Sequence, residues 1–214
     1  MLAMLEKLLE ITPLYHPLRN RSQKRKQQAE YDSWVQSGRR LPVPHLAKQL
    51  TLREYAQEYS LKILVETGTY RGDMVEALKD DFDRIYSIEL SEYLYHKAVK
   101  RFRSDRNVHL LRGDSGIELG HLMDRITVPA LFWLDGHYSA GVTAKGEKDT
   151  PIFEELQHIL KQCDQRHVIL IDDARCFGSD PAYPSVRELH EFIMTLRNDV
   201  AFEVEDDSIR ITPV

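Results

Sequence analysis

Residues 62–89 read KILVETGTYRGDMVEALKDDFDRIYSIE. Lys62 to Glu66 is a short apolar run, Gly68 and Gly72 mark a turn, Asp73 to Lys79 carries a helical pattern, and Arg84 to Glu89 is a second apolar run. A near-continuous run is the mark of a strand buried on both faces, and strand, helix, strand within this span is the unit of a parallel sheet. The rhythm continues downstream. Further runs occupy Asn107 to Arg112, Ala130 to Asp135 and His167 to Asp172, and helical patterns occupy Ser91 to Phe102, Ser115 to Met123, Pro151 to Cys163 and Ser185 to Arg197. The chain ends on two strands, Ala201 to Glu205 and Ser208 to Thr212, separated by Asp206-Asp207, which predicts a hairpin. The expected fold is therefore α/β, a parallel sheet covered on both faces and finished by an antiparallel hairpin.

Upstream, residues 1–60 read as a helical, polar extension to a main domain of residues 61–214. Pro13 and Pro17 interrupt its first helical pattern, and Thr51 with Glu54 three residues later predicts a capping box opening a helix to about Tyr59. Charge divides in the same place. Residues 1–50 hold nine Lys or Arg against four Asp or Glu, whereas the remaining 164 of the 214 residues hold twenty against thirty. An acidic body disfavours a nucleic-acid groove. The basic cluster Arg19, Arg21, Lys24, Arg25 and Lys26 could touch an anionic membrane surface or a protein partner, with a solvated helix face as the alternative. The apolar N-terminus carries Glu6, Lys7 and Glu10, and no run reaches the roughly 18 residues of a membrane span, so a cytoplasmic chain is expected. Two cysteines, Cys163 and Cys176, in no CxxC pattern argue for reduced thiols. Oligomeric state is left open, a dimer included.

Four parallel strands end on an acid, Glu66, Glu89, Asp135 and Asp172, and Asp114 follows the remaining one. Ligands of open α/β sheets sit outside the carboxyl ends of the strands, so these acids share one edge. Each alone could be a helix cap. Together they call for a cationic ligand, a metal or donated hydrogen bonds to offset their repulsion. In the first crossing Tyr70 stands between Gly68 and Gly72, where a backbone cradling phosphate would need glycine. A phosphate-free ligand with an adenosine and a cationic centre suits the edge better, and Glu89, at the end of the second strand, is placed to accept from two ribose hydroxyls.

VETGTYRG, IYSIEL, LLRGDSG, FWLDGHYS and VILIDDAR, in that order, resemble the class I S-adenosylmethionine-dependent methyltransferases, within them the small-molecule branch of macrocin-type and catechol-type O-methyltransferases. The resemblance covers about residues 61–214 and departs from the usual ExGxGxG at Tyr70. It implies a Rossmann-like, doubly wound sheet of seven strands, the last two forming the hairpin. It also implies that Gly68, Tyr70 and Gly72 lie along the methionine part of S-adenosylmethionine, with Glu66 near its ammonium, Glu89 at the ribose, and Asp114 and Ser115 at the adenine. For Asp114-Ser115 the alternative is a helix start capped by Ser115.

Strands four and five are neighbours in such a sheet, which brings Asp135, Asp172 and Asp173 together. Oxygen-only ligands favour Mg²⁺ or a similar hard cation, and in the metal-dependent O-methyltransferases the equivalent positions hold such an ion. The alternative has Asp172 capping and Asp173 paired with Arg175. His137, two residues after Asp135, is the expected general base, with Lys145 a second candidate. The expected activity is metal-assisted O-methylation of a small-molecule or sugar hydroxyl. Two rivals are a Mg²⁺-dependent phosphoesterase on the same aspartates and a non-catalytic S-adenosylmethionine-binding module.

Overall fold

The computed structural model describes residues 15–135, 150–161 and 166–214, with side chains from residue 24 onward. It divides into two compact units, residues 1–50 and 51–214.

In the first unit, α1 (Tyr15–Gln36) carries the basic cluster, and Lys24, Arg25 and Lys26 are exposed. Pro17, expected to break the helix, lies in its first turn, where a missing N–H costs no intrahelical bond. The helix closes by donation from Gly38 N to Val35 O at 3.1 Å and from Arg39 N to Trp34 O at 3.0 Å, which satisfies carbonyls the last turn leaves open. Helix α2 (His45–Glu58) runs across the unit boundary. Thr51, expected as its N-cap, is mid-helix; Pro44 accepts at its carbonyl from Ala47 N at 2.9 Å and starts the helix seven residues earlier.

The second unit is built on a seven-stranded sheet of order β3-β2-β1-β4-β5-β7-β6. Its strands are β1 (Ile63–Thr67), β2 (Arg84–Glu89), β3 (Val108–Arg112), β4 (Leu131–Leu134), β5 (Val168–Ile171), β6 (Val200–Glu205) and β7 (Ser208–Pro213). The first five pair in parallel, whereas β7 is antiparallel to both β5 and β6. Helices α3 (Asp73–Leu78), α4 (Glu92–Arg101), α5 (Ser115–Met123), α6 (Ile152–Leu160) and α7 (Val186–Leu196) form the crossovers. Strand alternation sorts the core into two layers. Val65, Ile88, Phe132, Leu134, Ile169 and Ile171 pack with apolar residues of α5, α6 and α7. Leu64, Ile85, Leu131, Trp133 and Leu170 pack on the opposite face with Leu52, Met74, Leu78 and Ala98.

Local signals agree with this placement. Ser91 caps α4, its Oγ accepting from Leu94 N, with Glu92 in the first turn and Lys100 and Arg101 in the last, the order that suits the helix dipole. Ser185 and Glu188 form a reciprocal capping box on α7. Asp206 and Asp207 both adopt positive φ, 45° and 59°, as a two-residue turn between right-twisted strands requires. Among the described residues no helix is long and apolar enough to cross a membrane.

Candidate active site

Strand order reverses between β1 and β4, and the turn after β1 lies at that switch point. It is pinned to the neighbouring strand by donation from Gly68 N and Thr69 N to Ile88 O, at 2.9 and 3.2 Å. Tyr70 adopts φ 49°, the left-handed conformation a glycine would take there; the residue is 41% exposed, with the Arg71 guanidinium 5.3 Å from its ring centroid. The tyrosine thus keeps the turn's backbone path while its ring lies outside the core. Gly72, at φ 75°, is fixed by packing: a Cβ there would sit 2.6 Å from Phe102 Cε2 at the end of α4.

Two glutamates lie beneath this turn. Glu89 is 6% exposed; its Oε2 accepts from Tyr70 N at 2.7 Å and its Oε1 from Ser91 N at 2.8 Å. Burial raises its pKa, and those two amides oppose the shift. One carboxylate therefore fixes both the β1 turn and the start of α4, while each oxygen keeps a second lone pair for an incoming hydroxyl. Glu66 is 2% exposed, accepts from the Ser87 hydroxyl, and stands in register with Ser87 and Trp133. Ser87 also shares a 2.6 Å hydrogen bond with Thr69. Burial pushes the Glu66 carboxyl up to about 8; the Ser87 bond opposes, and Asp135, Glu89 and Asp73 add repulsion.

After β3, Asp114 caps α5 by accepting from Gly116 N at 2.9 Å. The cap alternative thus falls on Asp114, and Ser115 is the buried first residue of the helix.

Asp135 and Asp172 follow β4 and β5 directly, and Asp172 N donates to Leu134 O at 3.0 Å, continuing the ladder past the strands. One carboxylate oxygen from each of Asp135, Asp172 and Asp173 falls within 4.8 Å of the others. All three donors are hard oxygens, which fits Mg²⁺ or a similar cation. They are not equivalent, however. Asp173, at φ 55°, has its Oδ1 2.8 Å from Arg175 Nη1, as the alternative expected, while Asp172 is buried and its Oδ1 accepts from Asp173 N at 2.9 Å. Arg175 is held in turn by the hairpin turn: Asp207 accepts from its guanidinium and, at 2.8 Å, from its backbone N, and Ala174 N donates to Asp207 O at 2.8 Å.

His137 and Lys145, the expected bases, lie outside the described residues. Two residues at this edge escape sequence reading. Asp207 acts across 32 residues of chain and carries no local signal. Glu155 does carry one, since it shares the 152, 156, 159 apolar stripe of α6, where a carboxylate is out of place. It is 2% exposed, and burial pushes it up to about 7 despite hydrogen bonds from Ser115 and Thr67.

No protein-family model matches the chain, and no curated protein matches it in sequence. Solved structures do resemble it. The O-methyltransferase TomG from Streptomyces achromogenes, in complex with S-adenosylmethionine, is 20% identical with a TM-score of 0.57, the match covering 88% of each chain. An O-methyltransferase from Bacillus cereus in complex with S-adenosylhomocysteine is 14% identical with a TM-score of 0.59, covering 88% of this chain and 90% of that one. An S-adenosylhomocysteine-bound methyltransferase from Podospora anserina is 17% identical with a TM-score of 0.55, covering 88% of each. The chain has the Rossmann-like fold of the S-adenosylmethionine-dependent methyltransferases.

Proposed function

We propose that this chain is an S-adenosylmethionine-dependent methyltransferase acting on a hydroxyl oxygen of a small-molecule acceptor, with a divalent cation at Asp135 and Asp172. Glu89 carries the proposal: an acid at the end of β2, fixed by the Tyr70 and Ser91 amides beside the switch point, is oriented to take a pair of vicinal hydroxyls. Glu66, buried and raised, gains from a cationic group such as the cofactor's ammonium, while Gly68 and Tyr70 supply the backbone along it. Asp114 and Ser115 border the adenine end.

S-adenosylmethionine supplies a methyl group already activated on a sulfonium, so the protein's part is alignment and removal of the hydroxyl proton. Asp135 and Asp172 would hold Mg²⁺, whose charge would lower the pKa of an acceptor hydroxyl beside it. Asp173 contributes less, because Arg175 already neutralises it. His137 is assigned the proton. The phosphoesterase alternative needs cations aimed at phosphate, yet Arg175 is held by Asp173 and Asp207 and Arg71 lies against Tyr70.

Calorimetric titration with S-adenosylmethionine tests the cofactor assignment, and a turnover assay on the same preparation separates an enzyme from a binding module. Absence of cofactor binding by the full chain would remove the proposal.

A further inference from the structure

Leu134, Ile152, Glu155, Ile171, Asp172, Phe177 and Tyr183, with Thr150, line a cavity between the ends of β4 and β5 and helix α6. Leu134, Ile152, Ile171 and the edge-on pair Phe177 and Tyr183, whose ring centroids are 5.1 Å apart, give it apolar walls. The polar groups are two carboxyls and two hydroxyls, and among the described residues no Lys, Arg or His lines it. Arg175, three residues past Asp172, is held by Asp173 and Asp207.

Glu155 is the feature that demands an occupant. Its Oε1 is buried and has no hydrogen-bond partner among the described residues. Protonation does not settle this oxygen, because a buried O–H needs an acceptor as much as a buried carboxylate needs a donor. An anion would face the Glu155 carboxyl. A neutral hydroxyl would give one hydrogen bond and leave the charge uncompensated. An ammonium supplies up to three donors and the opposite charge, and aromatic faces beside it are favourable neighbours for a cation.

We propose that this cavity is a subsite for a cationic amine on the acceptor, with Glu155 its inner ligand and Asp172 bordering it. The proposal rests on methyl transfer only in assigning the amine to the acceptor.

The test is saturation-transfer NMR on the full chain with ethanolamine, ethylene glycol and glycolate, three two-carbon probes that bring a positive charge, none and a negative one. It is run with and without saturating S-adenosylmethionine. Ethanolamine should bind at least about tenfold more tightly than ethylene glycol, as a desolvated charge pair discriminates, and glycolate least of all. The isosteric Glu155→Gln, checked for cooperative unfolding, should erase the preference. Equal binding of the three, a preference for glycolate, no binding of ethanolamine at millimolar concentration, or its displacement by the cofactor each overturns the subsite. Ethanolamine binding by a chain that does not bind the cofactor would instead sink methyl transfer and leave the amine site standing.

Discussion

The backbone N–H of Tyr70 donates to Glu89 Oε2 at 2.7 Å, so the acid that ends β2 is the strut that holds the turn following β1. Glu89→Ala should weaken S-adenosylmethionine binding by about 2 to 4 kcal/mol, the loss of charge-assisted bonds to two hydroxyls together with loosening of the turn. Glu89→Gln, which keeps one acceptor oxygen, should fall between the two. Calorimetry at matched folded fraction is the measurement; unchanged affinity in the alanine variant would take Glu89 out of the site.

Glu66 makes stability depend on pH in a definite direction. Its folded value of about 8 lies above the 4.5 of a free glutamate, so between those values the folded chain keeps a proton that the unfolded chain has lost. The contribution is fully present below the lower value and is lost as pH rises through the upper one. Glu155, raised to about 7, acts in the same sense. Denaturant midpoints should therefore fall as the medium passes from mildly acidic to mildly alkaline, and Glu66→Gln should flatten the slope. Cofactor binding near neutral pH should release a proton, seen as a buffer-dependent heat; a buffer-independent heat would place the ammonium elsewhere.

At the aspartate cluster, removing Asp135 or Asp172 should abolish methyl transfer and Mn²⁺ binding while sparing cofactor affinity. Chelation of the unaltered protein should stop turnover reversibly. Asp173→Asn should be milder, because Arg175 already occupies that carboxylate. Arg175→Gln, by releasing it, should tighten Mn²⁺ binding read by electron spin resonance. Turnover that survives exhaustive chelation would leave His137 as base with no metal.

Gly72→Ala would place a methyl 2.6 Å from Phe102 in a residue held at φ 75°. Left-handed strain and overpacking together should cost about 2 to 4 kcal/mol. Phe102→Leu in the same chain should recover part of that in denaturant unfolding; additive losses would show that the ring is not the obstacle.

Deleting residues 1–40 should leave a cooperatively unfolding, cofactor-binding chain, because both buried clusters of the second unit begin at or after Leu52. Acceptor turnover should suffer more than cofactor affinity. Loss of the cooperative transition would make the N-terminal segment part of the core.

The sheet was legible because apolar runs such as ALFWLD and HVILID are too short for helices and too continuous for half-exposed strands. Their boundaries shift by only a residue or two, as β4 and β5 stop just before Asp135 and Asp172. Helix starts are harder to read from spacing alone. Thr51 to Glu54 has the spacing of a capping box, but the same spacing occurs inside any helix, and only Pro44 distinguishes the true start. Asp114 rather than Ser115 is the cap because the helix begins at Ser115, one residue earlier than a cap at Ser115 implies, and leaves Asp114 to accept from Gly116 N. The pairing of Asp173 with Arg175 was readable from adjacency, but the Asp207 that locks it was not, being brought there only by the closing hairpin.

That hairpin has a consequence for the order in which the molecule is made. Strand β7 enters the sheet between β5 and β6, and its turn residue Asp207 ties down Ala174 and Arg175 just behind the acidic pair. A nascent chain can pair β1 to β5 as they emerge, but until β7 has followed them β5 is an open edge and the Asp172-Asp173 loop lacks its anchor. The strands that carry Glu66 and Glu89 can thus form before the carboxylates of Asp172 and Asp173 are fixed in place, and a chain without β7 would keep the first without the second.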